Sequence, residues 1–297
     1  MINITFLGTA DQMPSVKRNH TAILLSYESE NILVDCGEGT QRQFRMAKIN
    51  PGKITRLLIT HWHGDHVLGI PGFLQTLSLS GYNKKLYIYG PKHTKEFMKD
   101  LLKVFNFQKN FEIIVEEVSG KFFENRDFYL EAKEMQHGIP TNAYIFVKKG
   151  QIRIDKIKLK KSRLPEGPLI KRLKEGKDII YNNKKYLVKN LTYMQDSLKV
   201  SFVLDTKNNS RIIPFVRNSD LLICESSFDS ELKDKAEEHL HLTSSQAAEI
   251  AKKSKSKKLI LTHISQRYEQ NPKKLLIQAR KIFKNSYLVN DLDVVKI

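Results

Sequence analysis

The sequence predicts a mixed α/β fold, and three observations predict it. Short apolar runs of strand length alternate with segments of helical spacing along nearly all of the 297 residues. Many of those runs end in a histidine, an acid or a hydroxyl residue, so polar groups gather at strand ends. Residues 150–190 alone break the pattern, being Lys-rich, weakly periodic and marked by Pro165, Gly167 and Pro168. They read as an insertion protruding from the main body.

The elements follow in order. INITFLGT is a strand from the start, closing at Gly8, and AILLSYE and NILVDCGEG are the next two. RLLITH runs out into His61. GIPGFLQTLSLSGY is apolar enough to be a buried helix or to line a contact between two copies. LYIYGP is a strand closed by Gly90–Pro91. TKEFMKDLLKVFN places Phe97, Leu101, Leu102 and Phe105 at helical spacing. FEIIVEEV and DFYLEAKEM are further strands, the second leading to His137. KVSFVLDT and DLLICESSF are apolar strands. TSSQAAEIAKKS is a helix with Thr243 as its N-cap, and KLILTH is a buried strand running out into His263.

Composition bounds the function. The chain is 40% hydrophobic and 28% charged, which suits a globular core. It has no uninterrupted apolar run of membrane-spanning length. MINITFLGTA lacks a basic start followed by a long apolar stretch, so it does not read as a secretory signal. Cys36 and Cys224 are too few for a disulfide framework, which points to a reducing, cytoplasmic home. Cys36 reads as a small buried residue in a tight turn. The net charge is +18, with a pI near 9.7, which implies a polyanionic partner or an acidic surface. Residues 151–190 hold 13 Lys and Arg against 4 Asp and Glu, a net +9 and half of the excess. Charge concentrated in this way points to nucleic acid rather than to a uniform lysine bias.

The chemistry concentrates in ITHWHGDHVLG, where His61, His63, Asp65 and His66 fall within six residues. Imidazole with carboxylate suits Zn²⁺, Mn²⁺ or Fe. Four candidate ligands are too many for one four-coordinate ion that keeps an open position. Two ions, about 3.5–4 Å apart and joined by a bridging carboxylate, fit better. His137, Asp205 and His263 each follow an apolar strand, as His61 does. Any one of them alone reads as a solvated or capping group. Together they supply the missing ligands. His20, His93 and His239 lack that context, and Trp62 reads as packing beneath the site.

HWHGDH matches HxHxDH, and the chain resembles the metallo-β-lactamase superfamily. FLGTADQMPS, VDCGEGTQRQ, ITHWHGDHVLGIPGFLQTLSLSGY, LYIYGP, CESSF, HLHLTSSQAAEIA and LTHISQRY narrow the resemblance to the ribonuclease Z family, in its short form. The resemblance implies a four-layer αβ/βα sandwich spanning residues 1–297, with 150–190 inserted as a tRNA-binding arm. It implies two zinc ions per subunit, with manganese as the alternative. His61, His63 and His137 would bind one ion, Asp65, His66 and His263 the other, and Asp205 would bridge them. Asp65 would be the general base and His241 would assist the leaving group. Arg267 would lie near the scissile phosphate, Lys17–Arg18–Asn19 would read the tRNA 3′ end, and Gly167–Pro168, within Glu-Gly-Pro-Leu, would belong to the arm. The implied activity is zinc-dependent hydrolytic removal of the 3′ trailer from precursor tRNA, by a homodimer in the cytoplasm, away from membranes. Leu204 stands where the family has a glycine before the bridging aspartate, and the arm matches poorly beyond Gly167–Pro168. Which carboxylate orients His241 stays open between Glu225 and Glu238.

Two other readings compete. Another dinuclear hydrolase of the same fold, acting on a small ester, thioester or lactam, could use the same ligands but has no use for the basic insertion. An RNA-binding protein with a structural metal would be expected to close its site with four ligands, often cysteines.

Overall fold

The structure is a computed structural model that describes residues 1–105, 110–162, 164–165 and 167–297. Arg163 and Glu166, the latter from the Glu-Gly-Pro-Leu element, lie outside the described residues. Strands β1 (Ile2–Gly8), β2 (Ala22–Tyr27), β3 (Glu30–Val34), β4 (Arg56–Leu58), β5 (Leu86–Gly90) and β6 (Ile113–Glu117) lie in one sheet. β7 (Gly120–Glu124), β8 (Phe128–Glu134) and β9 (Asn142–Lys148) cross to a second. β10 (Gln151–Ile154), β11 (Ile179–Tyr181), β12 (Lys184–Tyr186) and β13 (Thr192–Gln195) belong to the insertion. β14 (Leu198–Val203), β15 (Leu221–Glu225), β16 (Leu259–Thr262) and β17 (Ser286–Leu288) complete the second sheet, and β18 (Val294–Lys296) returns to the first.

The two sheets share one pattern that no sequence repeat announces. The first is ordered β18-β1-β2-β3-β4-β5-β6 and the second β17-β16-β15-β14-β9-β8-β7. Counted from β18 in the first and from β7 in the second, three antiparallel pairings are followed by three parallel ones. Parallel strands are covered on both faces, which is why DLLICE and KLILT read as continuous apolar runs. Every residue of β15 and β16 is buried.

Ile4, Phe6 and Ile23 of the first sheet meet Phe146, Phe202 and Ile223 of the second in the central core. Outside the first sheet, Leu57 and Ile88 pack on Phe73, Leu74 and Met98 from its helices. Outside the second, Leu222 and Cys224 pack on Ala247, Ile250 and Ala279. The result is the helix, sheet, sheet, helix sandwich that the resemblance implies. Both cysteines are buried and unpaired.

Two expectations change in detail. The 94–104 helix turns Met98 inward; Phe97 is 42% exposed and Phe105 47% exposed. Phe97 instead leans on Trp62, with ring centroids 5.2 Å apart, and Phe105 sits past the helix end in extended backbone. The Ile70–Leu79 helix buries Ile70, Phe73, Leu74 and Leu77, so its apolar pattern is that of a buried helix.

The insertion has its own small core of Leu159, Leu164, Leu173, Ile179, Tyr186 and Leu191. β10 pairs with β13 and β11 with β12, and the returning strand ends at Gln195, past residue 190. Gly167 has φ 147°, a conformation few other residues adopt, and Pro168 starts the next short helix at its first turn. Lys160, Lys161, Lys171, Arg172 and Lys174 are exposed.

Candidate metal centre

The site lies where strand ends of both sheets meet. Ile59 and Thr60 carry β4 into His61, and the short Gly64–Val67 helix that follows supplies Asp65 and His66. His137 lies between β8 and β9, Asp205 just past β14, and His263 just past β16. Asp35, Asp205 and His263 hold left-handed backbone, with φ of 57°, 41° and 56°. Such turns cost about 1–3 kcal/mol each and need surrounding structure to hold them. Each swings a side chain sideways off the end of a strand, into the space the two sheets share.

All seven candidate ligands converge. His61, His63, His137 and Asp205 form one group, and Asp65, His66, Asp205 and His263 a second, with Asp205 common to both. His61 Nε2 and His137 Nε2 stand 3.0 and 3.2 Å from His63 Nδ1. In the other group His66 Nε2 is 3.3 Å from His263 Nε2 and 3.2 Å from Asp65 Oδ2. Asp205 Oδ2 is 3.5 Å from both His61 and His66, while Oδ1 is 3.1 Å from His263. Ligand atoms bound at about 2.0–2.1 Å around a tetrahedral ion stand about 3.3 Å apart, so both groups fit. Ring nitrogens facing each other at such distances need a proton or a cation between them. The buried Asp205 Oδ1 also accepts no hydrogen bond, which fits an oxygen that serves a metal. Divalent metal use accounts for this donor set.

The rear nitrogens of the rings are held in turn. Asp35 Oδ2 receives His66 Nδ1 at 2.7 Å, and both its oxygens receive Thr60, through the backbone N–H and the hydroxyl, at 2.7 Å. Ser227 Oγ lies 2.9 Å from His263 Nδ1, and His137 Nδ1 lies 3.2 Å from the Leu240 carbonyl. Partners of this kind fix ring orientation and tautomer. Asp35 and Ser227 went unrecognised in the sequence. Asp35 carries the same signal as Asp205, an acid at the end of an apolar strand, whereas a serine in CESSF carries none.

Electrostatics follow the packing. Burial lowers His61 and His63, and neighbouring imidazoles add to it. Burial lowers His137 as well. Burial opposes ionisation of Asp205, but His263, His66 and His61 outweigh it and hold the carboxyl well below its usual range. Asp65 is held low the same way, chiefly by His66 and His263.

His241 stands beside the cluster, its ring 5.3 Å from His137 and 5.6 Å from His263. Its partner is Glu225, whose Oε2 receives Nδ1 at 3.0 Å; this settles the choice left open with Glu238. Burial works against charge on His241, but Glu225 outweighs it and lifts the imidazole to about 9. Thr243 closes a capping box with Gln246 on the Ser244–Lys253 helix, which fixes the turn behind His241. Trp62 donates to Thr94 and packs against the core outside the first sheet.

A cavity of about 300 Å³ opens over the cluster, with Asp11–Met13 on one side and Phe228 and Arg267 on another. The exposed Arg267 has its guanidinium 5.1 Å from the Phe228 ring. The other predicted contact residues divide. Lys17 is exposed, but Arg18 is only 6% exposed and its guanidinium faces inward. It donates to Thr9 Oγ1 at 2.6 Å, the Val289 carbonyl at 2.7 Å and Asn290 Oδ1 at 2.8 Å. Asn19 Nδ2 donates to the Glu38 carbonyl at 2.6 Å. Gly167 and Pro168 are exposed on the insertion, none of whose described residues lines the cavity.

A family model described as Anti-Pycsar protein Apyc1 matches residues 2–125. The chain is 39% identical to a Ribonuclease Z of Nanoarchaeum equitans over 90% of its own length and 84% of that protein. It is 36% identical to a Ribonuclease Z of Oceanobacillus iheyensis over the full length of both. Among solved structures it resembles the short form of human tRNase Z, with a TM-score of 0.73 and 26% identity over 99% of each chain. Identity of this degree, sustained from end to end on a shared metallo-β-lactamase architecture, makes the chain a member of the ribonuclease Z family.

Proposed function

We propose that this protein is a zinc-dependent endoribonuclease that removes the 3′ trailer of precursor tRNA by phosphodiester hydrolysis and leaves a 3′-OH on the tRNA. The observation that carries this reading is the convergence of seven histidine and aspartate ligands beside a His241–Glu225 pair.

His61, His63 and His137 would hold one ion, Asp65, His66 and His263 the second, and Asp205 both, with Zn²⁺ first and Mn²⁺ the alternative. Bound there, the cations supply positive charge for the phosphate and lower the pKa of water toward about 7. Asp65 remains ionised against His66 and His263, so its carboxylate orients the attacking water by accepting a hydrogen bond; as general base it would take the proton of a water made more acidic by the bound cations. His241 donates Nδ1–H to Glu225, which leaves Nε2 to deliver a proton to the departing oxygen. Because the tRNA keeps a 3′-OH, that oxygen is O3′ of its last nucleotide.

Residues 150–190, inserted in a single domain of residues 1–297, serve as the arm that grips folded tRNA away from the cut. Exposed lysines and a separate core support this. Lys17, Asn19, Arg267 and the Gly167–Pro168 turn would contact RNA, while Arg18 would brace the loop that carries Lys17. The working unit is proposed to be a cytoplasmic homodimer. Leu68, just before the Ile70–Leu79 helix, and Leu79, at its end, are exposed and support a contact between copies there. No helix among the described residues is long and apolar enough to cross a membrane.

The test is incubation with a 3′-extended precursor tRNA and an unstructured RNA of equal length, with and without chelator. The expected result is a single cut in the precursor alone, abolished by chelator and restored by Zn²⁺. Equal degradation of both RNAs would defeat the tRNA claim.

A further inference from the structure

Behind His241 lies a second cavity, of about 320 Å³, whose wall includes Lys207, Asn208, Lys233 and Ser245. His241 borders both this space and the metal cavity, so the two adjoin at the proposed acid. Lys207 is half-buried and Lys233 exposed, and neither pairs with a carboxylate among the described residues. Two carboxylates share the wall. Glu249 is engaged by Lys253 at 3.1 Å, and Glu237 stands one helical turn from Lys233. Two free ammonium groups repel a cation but suit a phosphodiester oxygen, with Asn208 and Ser245 as neutral hydrogen-bonding neighbours.

Direction follows from the chemistry, and this step rests on the proposed tRNA-processing reading. An acid must lie within hydrogen-bond reach of the oxygen it protonates. That oxygen is O3′ of the nucleotide 5′ to the cut, so the 5′ strand must pass on the His241 side. We propose that the Lys207–Lys233 cavity is a subsite for the phosphate one nucleotide 5′ of the scissile bond. Held there, the acceptor strand presents its O3′ to His241, which makes the two lysines positioning residues for the cut.

The test uses a 3′-extended acceptor–T-arm minihelix in three forms: all-phosphate, with a neutral methylphosphonate one linkage 5′ of the cut, or with one a linkage 3′ of it. The wild-type enzyme should lose about tenfold in kcat/KM on the 5′-neutralised substrate and much less on the 3′-neutralised one. The Lys207→Gln/Lys233→Gln variant should lose about the same factor on the all-phosphate substrate but little more on the 5′-neutralised one. Lys207→Arg/Lys233→Arg should recover most of the loss. The subsite is overturned if neutralising the 5′ linkage leaves wild-type cleavage unchanged, or if the 3′ linkage is the one whose neutralisation cancels the lysine effect. If the wild-type enzyme cuts no form at all, the tRNA-processing reading falls, and the subsite with it.

Discussion

Glu225→Gln is the most informative single substitution, because the native carboxylate receives three donors that an amide cannot all receive. Oε1 accepts the Thr206 backbone N–H at 2.7 Å, and Oε2 accepts the Ser227 hydroxyl at 2.9 Å and His241 Nδ1–H at 3.0 Å. The backbone N–H cannot turn away, so the amide oxygen must stay with Thr206. The amide NH₂ then falls where Oε2 was. Ser227 can rotate to accept from it, but a protonated Nδ1 cannot. His241 must therefore lose that bond or become neutral with its proton on Nε2. Losing one charge-assisted hydrogen bond should cost about 1.5–3 kcal/mol of stability. Losing a competent acid should cost about 10²–10⁴ in turnover. Single-turnover cleavage of precursor tRNA, compared with bis-p-nitrophenyl phosphate, measures the second effect in isolation. Nitrophenolate departs without protonation, so the variant should fall by an order of magnitude or less on that ester. Equal losses on the two substrates would refute the acid assignment and make Glu225 a support of the fold.

Three further outcomes are expected. Asp65→Ala should lower turnover by several orders of magnitude while filter-binding affinity for tRNA stays within a few-fold; normal turnover would remove the carboxylate from the mechanism. Replacing residues 151–195 with a short turn is feasible because Gln151 already pairs with Gln195; the product should show a much higher KM for precursor tRNA with diester hydrolysis intact, and parallel losses would assign the segment to stability. Arg18→Ala strips donors from Thr9, Val289 and Asn290, so denaturant titration should show a loss of about 3–5 kcal/mol, whereas Lys17→Ala should change KM and leave stability near wild type; an unshifted midpoint for Arg18→Ala would contradict the clamp.

Much of the candidate site was legible because its candidate ligands obey a local rule. His61, Asp205 and His263 each follow a run of buried strand residues, and that context survives in the sequence whatever the tertiary arrangement. His137 follows the more exposed end of β8 and was still found by position. The supports were less legible for a physical reason. Asp35, Ser227 and the Leu240 carbonyl act from neighbouring strand ends and loops on rings distant in sequence, and neither composition nor periodicity records such contacts. Arg18 shows the limit of motif reading. Its type and place suggested an RNA contact, but the loop turns it inward onto Val289 and Asn290. The 94–104 helix shows the same limit for periodicity, since Trp62 draws Phe97 away from the core face.

Leu204 raised the question whether losing a small flexible residue before Asp205 disturbs the site. The structure places the demand one residue later. Leu204 avoids the left-handed region and is fully buried in the core between the sheets, so its side chain adds packing there. Asp205 itself adopts φ 41°, as Asp35 and His263 adopt similar values at the ends of β3 and β16. Short polar side chains tolerate that region better than branched ones do. Three such turns, at about 1–3 kcal/mol each, would be hard to retain without compensation. Asp35 is compensated by Thr60 and His66, and His263 by Ser227. Among the described residues, Asp205 Oδ1 accepts no hydrogen bond and faces only the His263 ring at 3.1 Å, so a bound cation would complete it. The strained turn and the oxygen that accepts no hydrogen bond therefore belong together: the backbone is held out of its preferred region so that a single carboxylate faces both candidate ligand groups.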